Sequence, residues 1–265
     1  MKSRFHQKAG YNVLTLAAAL GLGITCSTAV LAQTSSVEAT PSQSEWSLGG
    51  GVITKQKVYR GIDRDNFVLP LATYENKWIS LGVPRADLKF YSTENMSFRL
   101  RARFDGDGYD PEDSPFLAGM EKRKSSIWVG GAFLWKNDIA NLTAEVLTDS
   151  MGNSKGTRAS IQVDRRFGFG SFGLTPRLGV EWYDKKFVNY YYGVRASEAT
   201  ASRGAYQGDS TTAMDVGLRL DYSPAARHTL FLDVSGRRFG SSIKDSPIVE
   251  KATQTTVGLG YLYRF

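Results

Sequence analysis

Arginines alternate with apolar residues in one short segment of this chain, and their spacing could serve anion binding or ion pairing. In MSFRLRARF, residues 96–104, the arginines Arg99, Arg101 and Arg103 occupy every second position. A guanidinium group stays charged and binds carboxylates and phosphates. Other segments with the same alternation supply further candidate charges on the same face, which are Arg158, Arg177, Arg219, Glu145, Asp164, Glu181, Asp215, Asp221 and Asp233.

These charges support two different functions, depending on their surroundings. If the two signs pair, the space that they share is a closed ion-pair network. If the arginines line water, that space is a narrow channel that favours anions. The near-balance of positive and negative residues favours pairing.

An acidic segment, DGDGYDPED at residues 105–113, could hold a cation. It contains five acidic residues in nine, and calcium prefers oxygen ligands. It lacks the spacing and the closing glutamate of an EF-hand, and Asp-Gly pairs are strong turn formers. The favoured interpretation is an external loop without a metal. The alternative is that divalent ions bridge these carboxylates to lipopolysaccharide.

Hydrolytic chemistry lacks its usual residues in this chain. Only His6 and His228 occur, and His228 lies in the HTL segment directly after the SPAAR turn, with Ser223 nearby. A nucleophile needs a positioned base, but His-Glu-x-x-His, phosphate-binding and Cys/His metal patterns are absent. The sequence therefore predicts no enzyme and no cofactor, with His228 as a turn or interface residue.

The N-terminal residues have the pattern of a secretory signal peptide. Basic residues precede an apolar run, and Val30 and Ala32 occupy the small-residue positions before a predicted cut at Gln33. An uncleaved membrane anchor is the alternative, but the many alanines, glycines and threonines make this run a weak anchor. We predict a cleaved signal peptide at 1–32, followed by a flexible periplasmic segment at 33–45.

Loss of the signal peptide changes what the composition implies. It removes Cys26, the only cysteine, and three of the 33 basic residues but none of the 26 acidic residues. The remaining 30 basic and 26 acidic residues give a net charge of +4 instead of +7. An exported chain with so small an excess is a poor ligand for nucleic acid. Without disulfides, its stability must come from a large core or a closed sheet.

The rest of the chain alternates apolar and polar residues in short segments. Period-2 alternation predicts strands whose two faces meet different surroundings, and no apolar run after residue 32 is long enough for a membrane-spanning helix. The twelve predicted strands are 46–54, 67–75, 77–83, 85–91, 96–104, 125–136, 139–148, 157–167, 172–184, 212–223, 227–237 and 253–265.

The connections between these strands alternate between short and long. The longer gaps are 55–66, 105–124, 149–156, 185–211 and 238–252, and only the gap at Pro84 breaks the alternation. Short turns at one end and longer loops at the other are typical of outer-membrane barrels. The sequence therefore predicts an all-β fold. The predicted fold is a transmembrane antiparallel β-barrel of about 12 strands over 46–265, with both termini periplasmic.

Each predicted strand offers one apolar row to lipid. In 96–104 this row is Met96, Phe98, Leu100, Ala102 and Phe104. A soluble sandwich with one solvated face is the alternative. Apolar rows in so many strands favour a barrel with lipid outside and a charged lumen.

Two prolines, Pro70 and Pro176, fall inside predicted strands. A proline removes one ladder hydrogen-bond donor and is normally confined to edges or bulges, and a closed barrel has no edge. We therefore expect a bulge or a strand end at each of them.

Three later segments carry a family resemblance. They are DSPFLAGM (113–120), YYYGVRASEATASRGAYQGDSTTAMDVGLRLDY (190–222) and DSPIVEKATQTTVGLGYLYRF (245–265). Together with the opening WSLGGGVITKQKVYRGIDRDNFVLPLATYENKW (46–78), they resemble the MipA/OmpV family of Gram-negative outer-membrane proteins. The first loop, TKQKVYRGIDRD, is basic where the family pattern is acidic and aromatic.

Two motifs of this resemblance share the tripeptide DSP. They are Asp113-Ser114-Pro115 and Asp245-Ser246-Pro247, and both fall in predicted external loops. An aspartate before Ser-Pro suits turn initiation, and proline keeps the preceding residue extended. We interpret both motifs as loop structure.

The resemblance implies a location and a function. It implies a barrel in contact with outer-membrane lipid and lipopolysaccharide. For the namesake member it implies a scaffold that brings a lytic murein transglycosylase together with a bifunctional murein synthase, which is our leading hypothesis. Other members are linked to adhesion, osmotic or antibiotic responses. The alternatives are therefore a small-solute channel and a surface adhesin that uses loops 105–124 and 185–211.

The chain ends in an alternating aromatic strand. Tyr261, Tyr263 and Phe265 lie in one row, while the other row is small or polar apart from Leu262. Such an ending is similar to the signal read by the barrel-assembly machinery, so we expect that machinery to be a partner.

Overall fold

The computed structural model describes residues 44–265. The predicted signal peptide at 1–32 lies outside the described residues, as do residues 33–43 of the predicted N-terminal segment. Glu45, which the sequence places in that flexible segment, is instead the first residue of the first strand, where it pairs with Glu75.

The described residues form strands joined by turns, loops and two short α-helices. The strands are β1 (Glu45–Gln56), β2 (Arg64–Glu75), β3 (Ile79–Gly82), β4 (Arg85–Ser92), β5 (Met96–Asp105), β6 (Ser126–Lys136), β7 (Asn141–Asp149), β8 (Thr157–Asp164), β9 (Phe167–Phe169), β10 (Phe172–Tyr183), β11 (Thr211–Ala225), β12 (His228–Phe239) and β13 (Thr253–Arg264). The helices are α1 (Lys185–Tyr192) and α2 (Ser241–Lys244). No helix within residues 44–265 has the length and apolar character needed to cross a bilayer.

The strands close into an antiparallel ring. Each strand pairs with its neighbours in sequence, and β1 pairs with β13 from Ser47 opposite Arg264 to Lys55 opposite Thr256. β8 and the three-residue β9 both pair with β10 in one continuous register, so they occupy a single place in the ring. The described residues therefore confirm the predicted fold, a closed antiparallel barrel of twelve strands.

The expectation of a bulge or strand end at the two prolines is wrong. Pro70 pairs with Gly50 and Pro176 pairs with Leu218, both in unbroken register. On the other side of each proline, no residue of a paired strand needs the missing N–H. Opposite Pro176 the neighbouring strand is interrupted between β8 and β9, and beside Pro70 there is no neighbouring strand because β3 ends level with Thr73.

The outer surface of the barrel is apolar, with aromatic residues concentrated near the end that carries Ser44 and Phe265. These aromatics are Trp46, Trp78, Phe90, Tyr91, Phe98, Trp135, Phe169, Phe172, Tyr222, Tyr261 and Phe265, all exposed. An apolar band bordered by aromatic residues is typical of barrels that span the outer membrane.

The two ends of the barrel differ in their connections. The end with Ser44 and Phe265, here called the turn end, has short turns such as 93–95 and 226–227. The opposite end, here called the loop end, carries long connections that fold together as a cap, which consists of 57–63, 106–125, 184–210 and 240–252. A cluster of buried apolar residues joins the cap to the barrel mouth; it includes Tyr59, Leu117, Phe187, Tyr191 and Ile248 from the cap and Trp128, Leu147 and Tyr183 from the strands.

Candidate functional site

The candidate charges from the sequence point into the barrel, because their apolar strand neighbours face outward. Ten of them are buried, namely Arg99, Arg101, Arg158, Arg177, Arg219, Glu145, Asp164, Glu181, Asp221 and Asp233. Arg103 and Asp215 are half-buried. Charges removed from water in this way need partners.

Glu181 on β10 lies at the centre of the largest group of ion pairs. Its carboxylate accepts hydrogen bonds from Arg158 on the neighbouring β8 and, at 3.3 Å, from Nη2 of Arg103 on β5. Nη2 of Arg237 lies 2.8 Å from the other carboxylate oxygen. Because β6, β7 and β8 separate β5 from β10 in the ring, the contact with Arg103 crosses the lumen.

Two further carboxylates extend this network along β5. Asp87 accepts hydrogen bonds from Arg101 Nε at 2.8 Å and Arg99 Nη1 at 3.2 Å. Glu145 accepts hydrogen bonds from Arg101 at 2.7 Å and from Arg103 at 2.5 Å. Each carboxylate is therefore shared by two guanidinium groups, which fixes the arginines in place and compensates their charge.

The other half of the interior contains separate ion pairs. Both terminal nitrogens of Arg177 donate to the carboxylate of Asp233, at 2.7 and 2.5 Å. Arg219 Nε donates to Asp221 at 2.8 Å, and its guanidinium carbon lies 4.0 Å from the centre of the Phe231 ring. A cation above an aromatic face is electrostatically favourable.

Asp164 and Asp215 are the two remaining acidic candidates. Asp164 accepts a hydrogen bond from the side-chain amide of Asn141 at 3.1 Å. Asp215 accepts two hydrogen bonds from Arg237, at 2.7 and 3.1 Å. Arg237 therefore connects Asp215 to the Glu181 group.

Sequence reasoning missed several members of the network, among them Asp87, Arg237 and Asp105. Asp87 and Arg237 follow the same period-2 rule within predicted strands, so the alternation could have found them. Asp105 is the last residue of β5, whereas the predicted strand ended at residue 104. Its carboxylate accepts a hydrogen bond from Arg158.

The charged network leaves a cavity of about 140 Å³ in the lumen. Arg101, Arg103, Glu145 and Glu181 line it, together with residues 82–85 of the turn between β3 and β4. The cavity is thus bordered by groups that already pair with one another.

A second region of the interior is apolar. It is formed by Ile53, Leu71 and Phe231 with Phe67, Leu69 and Leu262, and is here called the inner apolar cluster. A Cβ on Gly260 would lie 2.4 Å from the Phe231 ring, so only glycine allows this ring to lie against β13. The cluster explains Leu262, the one large apolar residue in the inward row of the last strand.

Carboxylates of the acidic segment 105–113 form ion pairs with basic side chains of the chain itself. Asp105 contacts Arg158, and Asp107 lies 3.5 Å from Nζ of Lys55. Within residues 44–265, no group of three or more His, Cys, Asp or Glu side chains could hold a metal ion. The basic first loop and this acidic segment therefore complement one another.

Both DSP motifs lie in the cap, and their serines join separate loops. Ser114 Oγ donates to the backbone oxygen of Arg60 at 2.8 Å, and Ser246 Oγ donates to that of Tyr192 at 2.6 Å. Arg60 Nε in turn donates to the backbone oxygen of Pro247 at 3.3 Å. The two motifs thus meet at the first loop.

The residues that flank the serines shape their own turns. Asp113 accepts a hydrogen bond from the Asp110 backbone at 3.4 Å, and Pro115 starts the following 3-10 turn. Asp245 is exposed and contacts Lys244. These contacts agree with the interpretation of both motifs as loop structure.

A buried ion pair fastens the two longest loops of the cap together. Nη2 of Arg123 lies 2.8 Å from both carboxylate oxygens of Glu198. Arg203 donates to the backbone oxygens of Phe116, Ala118 and Glu198. Arg123 and Phe116 belong to loop 106–125, whereas Glu198 and Arg203 belong to loop 184–210. These contacts therefore join the two loops at the mouth of the barrel.

The Glu198 carboxylate makes the cap sensitive to acid. Burial alone would raise the pKa of Glu198, but hydrogen bonds from the backbone N–H groups of Arg195 and Glu121 and from Arg123 outweigh burial and lower that pKa. A lowered folded-state pKa stabilises the cap above the unfolded value of about 4.3. This stabilisation is lost as the pH falls through the folded-state pKa.

We therefore expect amide hydrogen exchange in 116–120 and 196–203 to stay slow from pH 8 to about pH 5 and to accelerate below about pH 4, after correction for intrinsic exchange rates. A Glu198→Gln variant removes the titrating group. In this variant, amide exchange in both segments should be faster at neutral pH and should not accelerate further below about pH 4. An acid step of equal size in this variant would contradict the assignment.

The last residues close the seam between the first and last strands. The Phe265 backbone N–H donates to the Trp46 oxygen at 3.1 Å, and the two rings stack with centres 4.3 Å apart. Tyr261 Oη lies 2.7 Å from Nδ1 of His228, and Tyr263 packs edge-on against Phe265 at 5.0 Å. His228 thus holds β12 to β13.

The chain is similar in sequence to several known proteins. It is 27% identical to the putative outer membrane protein YiaT of Escherichia coli K12 over 231 residues, which is 86% of this chain and 94% of YiaT. It is 26% identical to the outer membrane protein OmpV of Vibrio cholerae, over 84% of this chain and 88% of OmpV. The MltA-interacting protein of Escherichia coli K12 is 24% identical over 84% of this chain and 92% of that protein.

One solved structure and one family model also match the chain. An outer membrane channel from Pseudomonas putida F1 aligns with a TM-score of 0.41 and 11% identity, covering 88% of this chain and 99% of the channel. The family model described as MltA-interacting protein MipA matches residues 48–265, in agreement with the resemblance seen in the sequence. The chain is therefore a member of the MipA family of outer-membrane β-barrel proteins.

Proposed function

We propose that this barrel is a closed platform that holds a lytic murein transglycosylase, and with it a murein synthase, at the inner surface of the outer membrane. The name of one relative, MltA-interacting protein, supports such a partner. In this proposal the turn end, with both chain ends, faces the periplasm where murein lies.

The observation that carries the proposal is the ion pairing across the lumen. The contact between Arg103 and Glu181 crosses the interior, and the cap covers the loop end with Arg123 and Glu198 fastened together. A platform needs no path for solute, whereas a general porin keeps an aqueous channel. Ion pairs across the lumen also stiffen the wall on which a partner would rest.

The turn end offers a surface for such a partner. Ile139, at the tip of the turn between β6 and β7, is 78% exposed. Arg165, in the interruption between β8 and β9, donates to the backbone oxygen of Ile139, and Arg227 lies in the turn between β11 and β12. An exposed apolar side chain among basic residues is typical of the centre and rim of a protein interface.

In-cell crosslinking tests the proposal. A copy with an affinity tag inserted within residues 33–43 should recover a murein transglycosylase from native envelopes well above an unrelated barrel. Ile139→Glu should reduce recovery about ten-fold, the loss expected for one central apolar contact. Met151→Glu, at an apolar position of the loop end that is 56% exposed, is the control and should leave recovery unchanged.

Planar-bilayer recording separates the platform from a channel. A lumen crossed by these ion pairs is expected to give no steady conductance. A steady conductance with preference for anions, together with the absence of any murein enzyme among the crosslinked proteins, would favour the channel and reject the platform.

A further inference from the structure

A groove crosses the outer surface of the barrel from β4 to β10. It has a volume of about 600 Å³ and an almost wholly apolar lining. Phe90 and Phe98 line the part nearer the turn end, and Val180 and Trp182 line the part nearer the loop end. Because this outer surface is the apolar band that faces lipid, hydrocarbon chains surround the groove.

Small residues on three neighbouring strands form the floor of the groove. They are Gly131 on β6, Ala144 on β7 and Ala159 on β8. A Cβ on Gly131 would meet no atom of a non-adjacent residue within 4 Å, so the packing of the wall does not require glycine there. Glycine inside a strand weakens it and often marks a place where a ligand approaches closely. The open floor therefore indicates an occupant from outside the chain.

The dimensions of the groove suit an acyl chain. A cavity of about 150 Å³ already holds benzene, and the groove has about four times that volume. From β5 to β10 it crosses four strand spacings, which amount to about 19 Å. An acyl chain spans one leaflet of the hydrocarbon core, about 15 Å. One chain can therefore lie along the groove, where it fills space that would otherwise lack dispersion contacts.

Three exposed lysines, here called the lysine group, lie beyond the loop-end part of the groove. Lys155 precedes the start of β8 by two residues, and Lys185 and Lys186 begin α1, which follows β10. A Cβ on Gly156 would lie 2.8 Å from the backbone nitrogen of Phe187, so the two connections pack together. The lysines of both connections therefore face the same part of the membrane surface.

The lysine group keeps most of its charge. Asp149 and Asp184 lie nearby, but their carboxylates accept hydrogen bonds from backbone N–H groups of their own connections, at 2.6 and 2.8 Å. Asp209 lies 3.7 Å from Lys185, and because both side chains are exposed this pair contributes little. Within residues 44–265, neither of the other two lysines forms an ion pair.

An apolar groove that ends at exposed cations fits a lipid with acyl chains and a phosphorylated headgroup. Hydrocarbon is the solvent at this depth and gives no hydrophobic preference for one lipid over another, so charge and shape must select the occupant. A phospholipid offers one phosphodiester. Lipopolysaccharide bears acyl chains and phosphates on one disaccharide, which is wide enough to meet lysines of two connections.

We propose that the groove binds one acyl chain of lipopolysaccharide, whose phosphate contacts the lysine group. The site rests on the orientation of the proposed function, in which the loop end faces the outer leaflet, but it needs no murein enzyme. Either the platform or the lipid site can therefore fail without the other.

Native mass spectrometry of the purified full chain in detergent micelles tests this site, because it counts the bound lipids and the protein chains in each complex. Lipid A, the acylated and phosphorylated part of lipopolysaccharide, is titrated against the barrel, with phosphatidylglycerol in parallel. We expect one lipid A to bind at concentrations that leave phosphatidylglycerol unbound. Equal binding of the two lipids would overturn the assignment to lipopolysaccharide.

Lysine variants test the contact with the headgroup. Each lysine near an anionic lipid surface strengthens binding about five-fold, so Lys155→Gln combined with Lys186→Gln should weaken lipid A binding about 30-fold. Lys251→Gln is the control, because Lys251 lies at the loop end near β13 and already contacts Asp63 at 3.7 Å. It should leave binding unchanged. Equal losses in the two proteins would indicate general attraction to the basic surface and overturn the site.

Groove variants test the contact with the acyl chain. Gly131→Leu fills the floor and should weaken lipid A binding about ten-fold, because the displaced chain loses dispersion contacts. Gly236→Leu is the matched control, since Gly236 faces outward on β12 and a Cβ there would meet only a methyl group of Val216 at 3.8 Å. Heat-dependent migration on gels verifies that both variants are folded. Unchanged lipid A binding in Gly131→Leu would overturn the groove. A dimer that disappears in this variant would overturn the lipid and assign the groove to a second copy of the chain.

Discussion

Replacement of Glu181 by glutamine is expected to lower the free energy of unfolding by about 3–5 kcal/mol, the loss typical of a broken buried ion pair. Glutamine keeps the size of the side chain, so packing changes little. What disappears is the negative charge between Arg103, Arg158 and Arg237. Three cations would then remain in the interior with one fewer compensating charge.

Urea unfolding in detergent micelles, followed by the shift between folded and unfolded bands on gels, measures this loss. Glu121→Gln is the matched control, because Glu121 is exposed and contacts Arg195 at the surface. Exposed pairs contribute less than about 1 kcal/mol. If the two variants unfold at the same urea concentration, Glu181 is not the centre of the network.

Removal of Phe265 is expected to reduce the amount of barrel assembled in the outer membrane by more than about ten-fold. Its stacking on Trp46 contributes about 0.5–1.5 kcal/mol, which corresponds to roughly ten-fold at most in the folding equilibrium. Recognition of the aromatic ending by the assembly machinery would add to this. A larger loss in cells than in refolding from urea therefore indicates recognition as well as stability.

Two variants control for the size of the terminal side chain and for its neighbour. Phe265→Tyr keeps the aromatic ring and should assemble nearly normally. Arg264→Ala alters an exposed residue next to it and should also assemble. If deletion of Phe265 lowers refolding and assembly equally, the residue acts only through the seam.

The barrel could be predicted from the sequence because its strands repeat with period 2. Inward Arg99 and Arg101 alternate with outward Phe98 and Leu100, and lipid selects this alternation directly. Pro70 lies in an unbroken strand, contrary to the expectation of a bulge, because β2 has no second neighbour at that level. Whether β2 has a second neighbour at Pro70 depends on the length of β3. That length is set by the pairing of β3 with β2 and β4 and cannot be predicted from the four residues of β3 alone.

Partners across the lumen could not be predicted in the same way. The alternation places Arg103 and Glu181 on the inside, but not next to one another, since that depends on the curvature of the whole ring. The cap shows the same limit. The sequence predicts that Ser114 and Ser246 lie in turns. Their hydrogen bonds to distant loops depend on how the four connections of the cap fold together, which the sequence does not reveal.

The pairing of β1 with β13 has a consequence for the order of assembly. Every other pairing in the ring joins strands that follow one another along the chain, but Ser47 meets Arg264 across the whole sequence. Closing a flexible loop of about 200 residues costs roughly 5 kcal/mol of entropy. Hairpins that form first bring these ends together at a much lower entropic cost. The pairing of β1 with β13 is therefore expected to form last. Until then the curled sheet has two edges with unpaired backbone groups, and such edges favour pairing with another chain.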